Sequence, residues 1–268
     1  MSKLRFVWVS LAAISLSGWC ARPAAAGEGP DSQTPLLKLS APAFTVQGTF
    51  EQILARIAVE MRPFGVFGFV PDSAHGEAQL LVSEGEVVGD LLNRLCAREG
   101  RYRVSATKYR RVVNVLPIHP PDDVNRLLDL RLPRVDISTD TWPENWYMYL
   151  PDYCPEVRVF LENYYHARPH PPAPGGSPGA NMETDRGPPH LDLHLKNVTV
   201  QEVLNALASK YNDWAAAENA PPPGREAPPV TYPAFALGWE LRLPDTTGVQ
   251  LNGWLHSVFT TFPESTHE

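Results

Sequence analysis

The sequence predicts an α+β fold built from two related β-α-β-β-α-β modules, residues 37–117 and 124–244, each with its helices packed on one face of a small sheet. Three observations carry this. In residues 190–214, Leu191, Leu193 and Leu195 alternate with Asp192, His194 and Lys196, the period of a half-buried strand. After a short turn the period becomes helical, with Val200, Val203, Leu204, Leu207 and Ala208 on one stripe. That five-place stripe recurs at Phe50, Ile53, Leu54, Ile57 and Ala58, and again at Val88, Leu91, Leu92, Leu95 and Cys96.

Taken in order, residues 1–26 read as an export signal: Lys3 and Arg5, an apolar run from Phe6 to Trp19, then Ala24-Ala25-Ala26 as a cleavage site. The run is about 14 residues where a membrane span needs about 20. A lipoprotein reading through Cys20 is disfavoured by the bulk of Trp19. Cleavage near Ala26 would make the protein periplasmic or secreted, with no transmembrane segment in the mature chain, and would move its formal charge from −7 to −10. Such a chain has no electrostatic footprint for nucleic acid and selects against anionic partners.

Residues 27–36 are polar and read as a disordered lead. A strand over 43–46 precedes a helix that starts with Thr49 and Gln52, a capping box in which hydroxyl and amide oxygens satisfy free backbone N–H groups. Arg62-Pro63 ends it, and an apolar strand follows over 65–70. The second copy has a strand over 79–83 and a helix stopped by Gly100, with Val87 where a capping threonine would stand. A hairpin over 102–116 closes the module.

In the second half, Leu128, Leu130 and Leu132 alternate with Asp129 and Arg131, predicting a strand over 126–135. Asp122-Asp123 reads as a turn or helix cap. Val157, Phe160, Leu161 and Tyr164 predict a helix over 155–165. Proline-rich loops at 168–189 and 219–229 flank the unit of residues 190–214, whose Thr199 and Glu202 repeat the capping box. A strand over 235–243 completes the module, and 245–268 form a tail.

The pattern FTVQGTFEQILARIAVEM followed by AQLLVSEGEVVGDLLNRLCAREGRYRV resembles the short N-terminal domain shared by secretins and TonB-dependent outer-membrane receptors. The resemblance implies a small periplasmic domain that docks against other envelope proteins. Nothing after Pro117 supplies a β-barrel or a secretin core, so only docking carries over, as an analogy between folds.

Candidate sites are sparse. The insertion TWPENWYMYLPDY puts Trp142, Trp146, Tyr147, Tyr149 and Tyr153 together, either to bind a partner or sugar or to cover the second module's sheet. An oxidising compartment permits a disulfide between Cys96 and Cys154, but their spacing in sequence leaves the pairing open. His190 and His194 lie about 13 Å apart on a strand, too far to share a metal ion. No metal-binding, cofactor or nucleophile motif is present, so neither a cofactor nor a catalytic residue is expected. The leading expectation is a non-catalytic, exported interaction or scaffold protein of the cell envelope, with an envelope protein as partner captured at open sheet edges and the aromatic insertion. A carbohydrate or peptide binder using residues 142–153 and a hydrolase with a dispersed site are the alternatives.

Overall fold

Short-range chemistry sets where the helices begin. At α1 (Phe50–Glu60) the Thr49 hydroxyl accepts from the Gln52 amide at 3.3 Å while the Gln52 side chain accepts from the Thr49 amide at 2.9 Å. At α6 (Val200–Glu218) Thr199 and Glu202 make the same reciprocal pair at 3.2 and 2.8 Å. The helix α2 (Val88–Glu99) has no side-chain cap. Backbone from the preceding segment replaces it: the Val88 amide donates to Leu39 O at 2.9 Å. That segment lies so close that a Cβ on Gly89 would sit 2.8 Å from Leu37 O.

The computed structural model describes residues 34–61, 66–70, 78–141, 150–166, 190–218, 239–241 and 255–256, all within one compact unit, Ser32–Glu268. The fold is α+β. Strands β1 (Phe44–Gly48) and β3 (Ala78–Val82) pair antiparallel as one ribbon. A central sheet runs in the order β4 (Tyr102–Ala106), β5 (Val112–Pro117), β2 (Val66–Phe69), β8 (Trp239–Leu241), β9 (Leu255–His256). Strands β6 (Arg131–Asp140) and β7 (His190–Thr199) form a second antiparallel ribbon.

These sheets and helices form alternating layers. One core lies around α1 and α2 and draws on β1, β3 and one face of the central sheet through Phe67, Phe69, Tyr102, Val113 and Val115. The other lies around α6 and draws on β6, β7 and the opposite sheet face through Val112, Leu116, Trp239 and Leu241. The helices α4 (Leu150–Tyr153) and α5 (Pro155–His166) add Leu150, Cys154, Val157 and Leu161 to it. Every residue of the three repeated stripes is buried.

The structure corrects four expectations and closes one open question. Helices cover both faces of the central sheet, because the third strand expected in the second module is instead β8, which pairs parallel with β2. The unit ribbon strand, capped helix, central strand therefore occurs twice, and both copies end side by side in one sheet.

Leu36 belongs to the core and not to a loose lead. It is fully buried in a 3-10 turn, Leu36–Lys38, and its amide donates to Arg110 O at 2.7 Å. The strand expected from residue 126 starts at Arg131, because α3 (Asp122–Leu128) occupies the preceding turns. Val124, Leu127 and Leu128 bury one stripe of α3, and its terminal Asp122, Asp123 and Arg126 suit the helix dipole.

No turn separates β7 from α6. The strand continues to Thr199 through Asn197 at φ 52°, which shifts the side-chain alternation so that Val198 re-enters the core. Cys96 and Cys154 are free, buried thiols held in different cores, so the disulfide left open by the sequence is not formed.

Candidate interaction surface

The geometry of the β4–β5 hairpin leaves one side of β4 available. Ile118 donates its amide to Arg101 O at 2.7 Å, which makes residues 101 and 118 a hydrogen-bonded pair. Alternation along the register Arg103↔Leu116, Val104↔Val115, Ser105↔Asn114 then turns Arg103 and Ser105 toward β5, while Val104 and Ala106 point their amides and carbonyls outward. Among the described residues the outward groups of Val104 are unpaired, and Ala106 O receives only a 3.5 Å contact from the Ser105 hydroxyl. Strand β3 differs. Arg94 reaches Leu81 O at 3.1 Å, Arg98 reaches Gln79 O at 2.6 Å, and Glu86 accepts from the Ser83 amide at 3.3 Å. Side chains thus already engage that strand's backbone.

The side chains of β4 divide between two environments. Tyr102 is buried against the first core, stacked on Phe50 with centroids 4.3 Å apart, and Val104 packs beside it. Arg103 and Ser105 are exposed on the opposite face. There a cleft of about 280 Å³ runs beneath Arg103 to the carboxyl ends of β5 and β2 at Pro117 and Val70, walled by Asn125, Leu128 and Asp129 of the α3 segment and by Gln201 of α6. Arg103 has no ion-pair partner among the described residues. At the hairpin's tip, Lys108 is 3.5 Å from Glu202 and lies over the Tyr109 ring. The Glu202 carboxyl is held below its ordinary range, chiefly by the Thr199 amide.

The polar face of the β6–β7 ribbon is a ladder of paired charges. His190 Nδ1 is 2.8 Å from Asp140, and His194 sits between Asp136 at 2.7 Å and Asp192 at 3.0 Å. Arg134 also pairs with Asp136. The hydrogen bond to Asp136, reinforced by the charge of Asp192, raises the His194 pKa; that bond and Arg134 lower Asp136. Both nitrogens of His194 are thereby occupied. Among the described residues no group of three His, Cys, Asp or Glu side chains could hold a metal ion.

Of the aromatic insertion, Trp142, Trp146, Tyr147 and Tyr149 lie outside the described residues. Tyr153 is half-buried, packed on the second core from the end of α4. Burial pushes both cysteine thiols up to about 12, helped by Glu99 near Cys96 and Glu156 near Cys154. The Asp213 carboxyl is also raised, mainly by burial, and Lys210 and Arg111 oppose the shift.

Sequence reasoning expected sheet edges to receive a partner strand but singled out neither β4 nor its cleft. A signal was present: residues 98–111 carry Arg98, Arg101, Arg103, Lys108, Arg110 and Arg111 against the single acid Glu99, inside a chain of net charge −7. Averaging charge over the chain concealed it.

The fold and surface define an α+β protein whose central sheet, among the described residues, has an open edge carrying Arg103. No protein-family model, curated protein or solved structure matches the chain. Among the described residues no helix is long and apolar enough to cross a membrane.

Proposed function

We propose that this chain is a non-catalytic interaction protein of the cell envelope that captures a partner by strand addition to β4. The observation that carries the reading is the outward row at Val104 and Ala106, where, among the described residues, backbone donors and acceptors have no backbone partner and only Ala106 O receives a long side-chain contact. Such a row is a template for one more strand, and main-chain hydrogen bonds supply the affinity. Export is supported by the charged start, apolar run and alanine triplet of residues 1–26. The resemblance of residues 43–117 to the short domain of secretins and TonB-dependent receptors supports an envelope partner.

The test combines address and contact. Fractionation with N-terminal sequencing should recover the chain outside the cytoplasm, starting near Gly27. A photo-crosslinking residue at Ser105 should trap one envelope protein in cells, whereas the same residue at Gln79, beside the engaged β3 backbone, should not. Recovery of the intact N-terminus from cytoplasm refutes the location, and equal trapping from both positions refutes the edge.

A further inference from the structure

We infer that the β4 edge selects an extended partner segment in which acidic side chains alternate with apolar ones. The inference rests on the strand-addition reading above and adds the partner's chemistry. A segment laid against Val104 and Ala106 continues the pleat of the central sheet, so its side chains alternate between the same two environments as those of β4. On one face its residues lie beside Val104 and the edge of the core around Tyr102, which favours apolar side chains.

On the other face they lie beside Arg103 and Ser105. Arg103 is exposed, lacks an ion-pair partner among the described residues and lines the cleft. A carboxylate there gains a charge-assisted hydrogen bond, and the side-chain amides of Asn125 and Gln201 supply further donors within the cleft. Asp129 is the one acid of the lining, across the cleft on the α3 segment. Residues 98–111, from the end of α2 to the hairpin's tip, carry six basic residues against one acid and attract an acidic segment over longer range.

A second copy of this chain is the wrong occupant. Antiparallel pairing of β4 with its own copy, in the registers centred on Arg103 or Val104, would set both Arg103 side chains on one face as direct or diagonal neighbours, a like-charge arrangement that opposes association. A generic polyanion is a different class of ligand. It would be held by charge alone and would not need the outward amides.

The experiment uses the intact chain and three capped, dye-labelled seven-residue peptides in which valine alternates with glutamate, glutamine or lysine, followed by fluorescence anisotropy. The glutamate peptide should bind, the glutamine peptide should bind about tenfold more weakly, and the lysine peptide should not bind. Arg103→Glu should reverse the order of the charged peptides. Val104→Pro should abolish capture without unfolding the sheet, since the Val104 amide points outward and gives no bond to β5. Ala106→Pro, at the next outward amide, repeats the test should the first variant misfold.

Equal binding of all three peptides, abolished by either proline, overturns the acidic preference and leaves the edge reading standing. Glutamate binding that survives both prolines, or that inorganic tripolyphosphate removes as readily as excess unlabelled glutamate peptide does, overturns strand addition itself. Absence of binding by any peptide at millimolar concentration overturns the inference.

Discussion

Replacing Trp239 tests whether a three-residue strand from the far end of the chain joins the central sheet. Its side chain is fully buried, and the indole N–H donates to Asn205 Oδ1 of α6 at 2.7 Å. The ring lies over Gly68 of β2 so closely that a Cβ there would penetrate it. A buried tryptophan removes roughly 200–250 Å² from water. At about 25 cal/mol per Å² this gives roughly 5–6 kcal/mol as an upper bound, or about 4 kcal/mol after allowance for burial in the unfolded chain. Trp239→Ala should therefore cost about 4 kcal/mol, within the usual range for deletion of a core aromatic ring. Trp239→Phe keeps much of the area but strands the Asn205 acceptor, at a cost of about 1–3 kcal/mol, and Asn205→Leu in the same chain should recover part of it. Gly68→Ala should cost about 1–3 kcal/mol by overpacking against both Asn114 Oδ1 and the Trp239 ring, and part of that cost should go once Trp239 is alanine. Urea titration followed by far-ultraviolet circular dichroism measures each value. A Trp239→Ala cost below about 1 kcal/mol, with no change in the Gly68→Ala cost between backgrounds, would refute the placement of β8 on β2.

The remaining predictions concern caps, charges and thiols. Thr49→Ala and Thr199→Ala should each destabilise the protein by about 1 kcal/mol in urea titration, because each removes the acceptor for a first-turn amide. In a pH series of thermal midpoints, the raised pKa of His194 gives stability present below the ordinary 6.5 and lost as pH rises through the higher folded value. The lowered Asp136 gives stability present above 3.8 and lost as pH falls through its folded value, so the ribbon pair favours folding most between those limits. His194→Gln should flatten the upper flank, and an unchanged profile would sink the assignment. Iodoacetamide at pH 8 should leave Cys96 and Cys154 unmodified in the folded chain and alkylate both in denaturant, since both thiols titrate near 12. Rapid native labelling of either cysteine would contradict its burial.

Features set by neighbouring residues were legible in the sequence. The three helical stripes, both capping boxes and the hairpin of residues 102–117 needed only spacing and residue type. Period failed at Leu128, where Leu128, Leu130 and Leu132 imitate a strand while Val124, Leu127 and Leu128 satisfy a helix. The positive φ at Asn197 was hidden because asparagine tolerates that region without announcing it. Burial at Leu36 depended on a hydrogen bond to Arg110, more than seventy positions away. The β4 edge was hidden for a related reason: openness depends on which strands lie beside it, and periodicity assigns faces without naming partners.

The partner of β8 was the least legible feature and has the largest architectural effect. Two independent modules would each need three strands in one sheet, whereas here β2 and β8 lie side by side and a single sheet serves both halves. Each face of that sheet then receives a capped helix, α1 below and α6 above, and each helix is covered on its far side by a two-stranded ribbon. The second half brings only β8 and β9 to that sheet, so α6 is buried against β5 and β2 of the first half, because its own two-stranded ribbon is marginal alone. With both faces covered, the β4 end is an open surface of the sheet among the described residues. At the β4 end, α6 covers β5 and β2 but leaves Arg103 and Ser105 exposed. The second half joins the sheet on the β2 side, and so leaves the basic strand β4 at the opposite end available for docking.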